Sequence, residues 1–207
     1  MNFSVVRGAD TVWGKSFARV LAAQKRNLIL IGARGPELEI LVREIIQNHR
    51  VLVHYLVVDD ADTGSIIAAC EKINDRFDVD LLINYAETGW TMRLDDHDIR
   101  SLDRKLKTSH ASGILYLHQL LPNLLLHAHA RVIDLWCHSQ PMAQWEQAMV
   151  GYHMRFAEHL HAEMRNSDLQ IGGFALPAAH GTTAETRALE ILEGALPEVV
   201  PGRITMH

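Results

Sequence analysis

Short apolar runs alternate along this chain with longer stretches whose apolar positions recur at helical spacing. Residues 3–6 (FSVV) read as a strand, and Gly8 follows closely. Residues 15–24 place Phe17, Val20 and Leu21 on one helical face. Residues 27–31 (NLILI) form a second strand closed by Gly32, and Pro36 then opens a helix over 37–48. A third strand covers 51–58 and ends at Asp59 and Asp60, and 63–77 is helical. The run 81–83 is continuous and apolar, as a strand buried on both faces should be. Residues 96–127 then carry helical periodicity, 131–136 read as a strand, 145–164 as a long helix, 169–174 as a strand and 184–196 as a last helix. A short final strand is expected over 201–205.

Strand followed by helix, repeated about six times without internal repeats or low-complexity linkers, predicts an α/β fold. The expected form is a doubly wound parallel sheet of six to seven strands, Rossmann-like, with helices on both faces. In such sheets ligands bind beyond the carboxyl ends of the strands, near the point where strand order reverses. The residues just after each strand are therefore the ones to weigh. A length of 207 residues suits one core, so 1–207 is read as a single domain. The net charge of -5 supplies no basic field for nucleic acid or anionic lipid. Cys70 and Cys137 stand far apart in no metal-binding spacing, and residues 1–10 lack the pattern of a secretory signal. A cytoplasmic location is the expectation. The most apolar stretch, 113–126, contains His118, Gln119, Pro122 and Asn123 and is too short and polar to span a membrane.

The order and spacing of the post-strand segments resemble the short-chain dehydrogenase/reductase family from Phe3 to about Leu196. That family's first loop reads TGxxxGxG, and here the segment is Arg7-Gly8-Ala9-Asp10-Thr11-Val12-Trp13-Gly14. Ala33-Arg34 closes the second strand, Asp59 closes the third, and Asn84-Tyr85-Ala86-Glu87 stands where the family has NNAG. The resemblance implies a dinucleotide cofactor held by Gly8, Gly14, Arg34, Asp59 and Asn84. A glycine-rich turn entering a helix can hold a pyrophosphate on backbone N–H groups. Several substitutions work against that use. Val12 replaces the middle glycine, Asp10 adds a negative charge to the loop, Glu87 brings another carboxylate, and Trp13 is bulky. Arg34 suits a 2′-phosphate and no acidic residue ends the second strand, so the expected cofactor is NADP, bound weakly if at all.

The family's chemistry uses a tyrosine as general acid, with a lysine one helical turn later that lowers its pKa and holds the ribose. A serine positions the carbonyl, and an asparagine orders a water relay. Tyrosine and lysine four apart share a helical face, and an ammonium nearby favours phenolate. No Tyr-xxx-Lys occurs in this chain. The family positions fall at Glu146 for tyrosine, Val150 for lysine, Cys137 for serine, and Ser109 or His110 for asparagine. Tyr152 with Arg155, Cys137 with His138, and Glu146 with His138 are conceivable substitutes. Each has a plainer reading, as packing or interface for Tyr152, inert packing for Cys137 and a solvated helix face for Glu146. No two of the thirteen histidines stand three or four residues apart, and a metal site is not expected. Glu158 with His161 and His159 with Glu163 read as surface ion pairs.

The expectation is thus a protein of reductase-like fold with degenerate catalytic and cofactor positions, serving as a binding or assembly protein. The alternative is an NADP-dependent oxidoreductase with a non-standard active site. A homo-oligomer, most simply a dimer, is expected through helices 109–126 and 145–164, which carry Ile114, Leu117, Leu121, Met149, Tyr152 and Phe156.

Overall fold

Successive strand residues face opposite layers, and that alternation divides the core of this protein in two. A computed structural model describes residues 1–87, 98–138, 144–178 and 182–194. The strands are β1 (Asn2–Arg7), β2 (Asn27–Gly32), β3 (Val53–Val57), β4 (Asp78–Glu87), β5 (Arg131–His138) and β6 (Gln170–Pro177). The helices are α1 (Val12–Ala23), α2 (Gly35–Asn48), α3 (Thr63–Asn74), α4 (Ile99–Leu106), α5 (Ser112–Leu124), α6 (Gln144–Glu163) and α7 (Thr182–Leu192). All strand pairs are parallel, in the order β3-β2-β1-β4-β5-β6. The order reverses between β1 and β4, which sets the switch point there. Val6, Leu30, Ile83 and Leu135 meet α1, α2 and α7 on one face. Val5, Ile31, Leu82 and Val132 meet α3 and α5 on the other.

The predicted alternation of strands and helices is therefore present, with six strands among the described residues. The strand expected over 201–205 lies outside them. The apolar run 81–83 understated β4, because a central strand extends wherever either neighbour offers a ladder, and β4 pairs with β1 over Asp78–Asn84 and with β5 over Leu81–Glu87. α1 begins at Val12, ahead of the apolar stripe, because the Thr11 hydroxyl caps it by accepting from the Gly14 amide at 3.1 Å. The expected helix over 96–127 is interrupted. A π-helical turn, Lys107–Ala111, separates α4 from α5.

The cause of that turn lies in the sheet. Arg7, Asn84 and Asp134 are register partners across β1, β4 and β5 and form one polar row facing α5. Arg7 is 1% exposed. Its Nε donates to Asp60 at 3.0 Å, and its Nη1 donates to Asn84 Oδ1 at 3.1 Å and the Tyr85 carbonyl at 2.7 Å. Its Nη2 donates to the Thr108 carbonyl at 2.8 Å and to the Ser112 hydroxyl. A π turn leaves carbonyls open to outside donors, and here the guanidinium takes one. The Tyr116 hydroxyl donates to the second Asp60 oxygen at 3.0 Å, and its ring lies 5.4 Å from the guanidinium carbon. Asn84 Nδ2 donates to Asp134 at 2.6 Å and to the Gly113 carbonyl at 3.3 Å. A Cβ on Gly113 would stand 3.0 Å from Asn84 Nδ2, so glycine lets α5 approach the row.

Arg7→Met should cost roughly 3–5 kcal/mol, because Asp60 loses its buried cation and the other acceptors lose their donors. Arg7→Lys should recover only part, since a point charge cannot meet five separated acceptors. Urea unfolding measures both. A cost within about 0.5 kcal/mol for Arg7→Met, the size of an ordinary surface change, would contradict this account.

Candidate active site and cofactor groove

The first loop runs from β1 into α1 beside the switch point. Gly8 has φ 72°, in the left-handed region that glycine tolerates. A Cβ on Gly14 would fall 2.0 Å from the Gly8 carbonyl oxygen, so the helix start can close on the strand end only with glycine there. Val12 is 44% exposed on the first turn of α1. Trp13 is buried instead, and its indole N–H donates to the Pro177 carbonyl at 3.3 Å, tying the loop to the end of β6. Tyr85 packs on Gly8 as part of the same core.

Asp10, read from the sequence as adding a negative charge to the first loop, has partners for that charge. It is buried, and its carboxylate accepts from the amides of Ala33 and Arg34 and from Arg34 Nε, each at 3.1 Å. Arg34 Nη2 donates to the Asp10 carbonyl, and Nη1 lies 3.4 Å from Glu37. Arg34, read as available to a 2′-phosphate, is thus held by two carboxylates. Asp59 is half exposed and pairs with Arg104 at 3.0 Å. The Ala61 amide, and then Arg104, hold the Asp59 carboxyl below its usual range. Asn84, read as a cofactor contact, is buried, with both ends of its amide used in the row with Arg7 and Asp134. The reading of Glu87 concerns a side chain outside the described ones.

The residues that the sequence register assigned to the catalytic positions divide between the two faces of the sheet. Cys137 is half buried against the layer of α1 and α7. Trp136, the preceding residue, faces α6, and its ring fits because it lies over Gly173 on β6, two residues before its register partner Ala175. A Cβ on Gly173 would meet Trp136 at 2.4 Å. Ser109, in the π turn, donates back to the Lys105 carbonyl of α4 at 2.6 Å. Glu146 and Val150 both lie buried on α6, as does His153 one turn on. The solvated Glu146 expected from the sequence is in fact 0% exposed, because α6 turns that face inward. Tyr152 is exposed, and Arg155 pairs with Glu158 at 2.8 Å instead of tuning the phenol. Glu158, assigned to His161 from spacing, has that arginine as its partner.

A contact that local spacing could not reveal lies among these residues. His110 Nδ1 and His153 Nε2 are 2.7 Å apart, both residues buried. His153 also stacks on Trp136 at 5.3 Å and 22°. The pair joins the π turn to α6, two segments separated by more than forty residues, so no motif at helical spacing announces it. Burial pushes His153 down to about 3, with His110 and Arg7 adding to the shift. Burial also lowers His110. Both rings are therefore neutral near neutral pH, one donating to the other. On the neighbouring strand, burial raises Asp134 to about 7, opposed first by the Asn84 hydrogen bond and then by Arg7. Among the described residues no group of side chains could hold a metal ion, and no helix is long and apolar enough to cross a membrane.

Residues 2–146 match the family model described as short chain dehydrogenase. The chain is 29% identical over 180 residues to rat dehydrogenase/reductase SDR family member 7B, covering 81% of this chain and 54% of that protein. It thus spans about half the length of that curated relative. A metagenomic short-chain oxidoreductase solved in complex with NADP superposes with a TM-score of 0.80 at 18% identity, over 94% of this chain and 90% of that one. An NADPH-bound short-chain oxidoreductase from Pseudomonas aeruginosa PAO1, described as containing an atypical catalytic center, gives 0.75 at 16%, over 91% and 76%. At these identities the two structures establish a shared fold.

The histidine pair predicts a pH dependence of known sign. His153 has a folded pKa below the ordinary 6.5, so its contribution is complete above about that pH and is lost as pH falls towards about 3. His153→Phe should therefore lose stability more slowly on acidification than the wild type, by up to about 1.4 kcal/mol per pH unit. Urea unfolding at about pH 7.5, 6 and 5 gives the comparison, and parallel pH profiles would show that burial does not hold His153 neutral.

Proposed function

The chain belongs to the short-chain dehydrogenase family, and within it we propose a member that binds NADP(H) weakly, does not run the family's tyrosine–lysine carbonyl chemistry, and serves by binding or assembly. The observation that carries this reading is Val150. It is apolar and buried on the inward face of α6, at the position that the sequence register gives to the family's lysine. No ammonium can stand there to hold a ribose or lower a phenol's pKa. Glu146, one turn earlier on the same face, replaces the tyrosine.

The turn from Gly8 to Gly14 would receive a pyrophosphate, Arg34 follows β2 where a 2′-phosphate would be met, and Asp59 follows β3 towards the adenine side. A nicotinamide bound there supplies a hydride. The rest of a carbonyl reduction is a proton delivered to oxygen by an acid within hydrogen-bond reach, and its loss costs about a hundred to ten thousandfold.

A second reading, an NADP-dependent oxidoreductase with a non-standard centre, draws support from the His110–His153 contact, because His110 is one of the two residues at the asparagine position. NADPH consumption against a panel of ketones, aldehydes and quinones separates the two. The expected result is no turnover above the uncatalysed rate. Turnover that His153→Phe abolishes, with NADPH affinity retained, would establish the second reading, and turnover lost on Glu146→Ala would make Glu146 the replacement acid.

Assembly is proposed to run through helices 109–126 and 145–164 as a homodimer. Leu125, Leu126 and Tyr152 are exposed there, and Leu115, Leu121 and Phe156 are half buried. Leu117, counted from the sequence as surface, faces the sheet. Sedimentation equilibrium should show a dimer at about tens of micromolar, and Tyr152→Glu should shift it towards monomer. A monomer throughout that range would exclude the assembly.

A further inference from the structure

The turn that links β2 to α2 is a built anion site, and its occupant belongs to the chain itself. Two successive amides, Ala33 and Arg34, and the Arg34 Nε–H converge on one oxygen of Asp10, all at 3.1 Å. Asp10 is 6% exposed, whereas the Arg34 side chain is 54% exposed at its outer end. The second guanidinium nitrogen closes the ring on the Asp10 carbonyl. Successive N–H groups at a helix start, backed by a cation, form a donor set suited to a phosphate or a carboxylate. A Cβ on Gly32 would stand 2.5 Å from an Asp10 oxygen, so the strand end has no room for a side chain beside this contact.

We propose that Asp10 is a specificity-determining residue that fills the 2′-phosphate subsite, so the protein selects against the phosphate its own Arg34 would otherwise bind. The inference rests on the dinucleotide-binding reading above and adds the cause of the weak affinity. The site for a 2′-phosphate in a doubly wound fold lies at the end of the second strand, where an arginine accommodates it and an acidic residue instead takes the 2′-hydroxyl of NAD. Here the arginine comes from the turn after β2 and the acid comes from the first loop, and they are bound to each other. A 2′-phosphate can reach Arg34 only by separating it from Asp10, and it then faces the Asp10 charge at close range. A 2′-hydroxyl meets neither cost.

The test is calorimetric titration of the purified protein with NADP+, NAD+, 2′,5′-ADP and 5′-ADP, with the melting temperature recorded for each variant. Wild type should bind NAD+ at least as tightly as NADP+, with 5′-ADP likewise no weaker than 2′,5′-ADP. Asp10→Ser, which keeps a small polar side chain and removes the charge, should tighten NADP+ and 2′,5′-ADP by about tenfold or more, with NAD+ and 5′-ADP changing less than about threefold. Asp10→Asn, which retains an acceptor for the amides, should give a smaller gain in the same direction and guards against a folding defect in the serine variant. Adding Arg34→Ala to Asp10→Ser should abolish the gain. If both Asp10 variants stay folded and bind dinucleotides with the wild-type ratio, Asp10 does not govern the subsite and the inference falls while the dinucleotide reading stands. If no variant binds any of the four ligands, both fall.

Discussion

A guanidinium placed inside a sheet needs all five of its N–H donors satisfied, and meeting that demand shapes this protein around its switch point. Arg7 ends β1, where chain direction and strand order both change. Its acceptors come from the loop after β3, from β4, from the π turn and from the start of α5. Those segments close the groove in which a doubly wound fold holds its ligands. The π turn exists where Thr108 offers its carbonyl to Arg7, and the residues that follow it, including His110, are positioned by that offer. Gly113 is the complementary concession, an absent side chain that lets α5 come down onto the polar row.

The same face carries the candidate site. Trp136, Gly173 and His153 form one packing unit, in which the indole fills space left by glycine on β6 and stacks on a histidine from α6. His110 meets that histidine from the other side. Both histidines are buried, and burial holds the two imidazoles neutral near neutral pH. On its inward face α6 carries a buried carboxyl group, a valine and a histidine that reaches back to the π turn. The family and the fold are shown by the match over residues 2–146 and by the parallel sheet.

Charge around the first loop follows a related logic. A carboxylate near a phosphate path repels its ligand if it faces outward, and it becomes part of the scaffold if backbone donors take it. Asp10 does the second, gathering two amides and Arg34 into a contact that joins the first loop to the second. Trp13 performs the apolar counterpart, linking the same loop to the end of β6. Both residues stiffen the loop through groups that a glycine- and serine-rich version would leave to the ligand.

The sequence by itself determined the layer order. Apolar runs at strand spacing, broken by Gly8, Gly32 and Pro36 and separated by helical stripes, admit little besides a doubly wound sheet, because each run must bury both faces. The positions following the strands were also legible, since topology puts every one of them at the same end of the sheet. What the sequence left undecided was which side chains meet there. The carboxylate of Asp10 and the guanidinium of Arg34 are 24 residues apart, and His110 and His153 are 43 apart. Neither pair leaves a mark on local periodicity. The π turn was equally hidden, for its cause is Arg7, more than a hundred residues before it in the chain. Tertiary structure decided these features because a buried polar group takes whatever partner the packing of distant segments brings within hydrogen-bond reach, and sequence spacing constrains only partners on the same element.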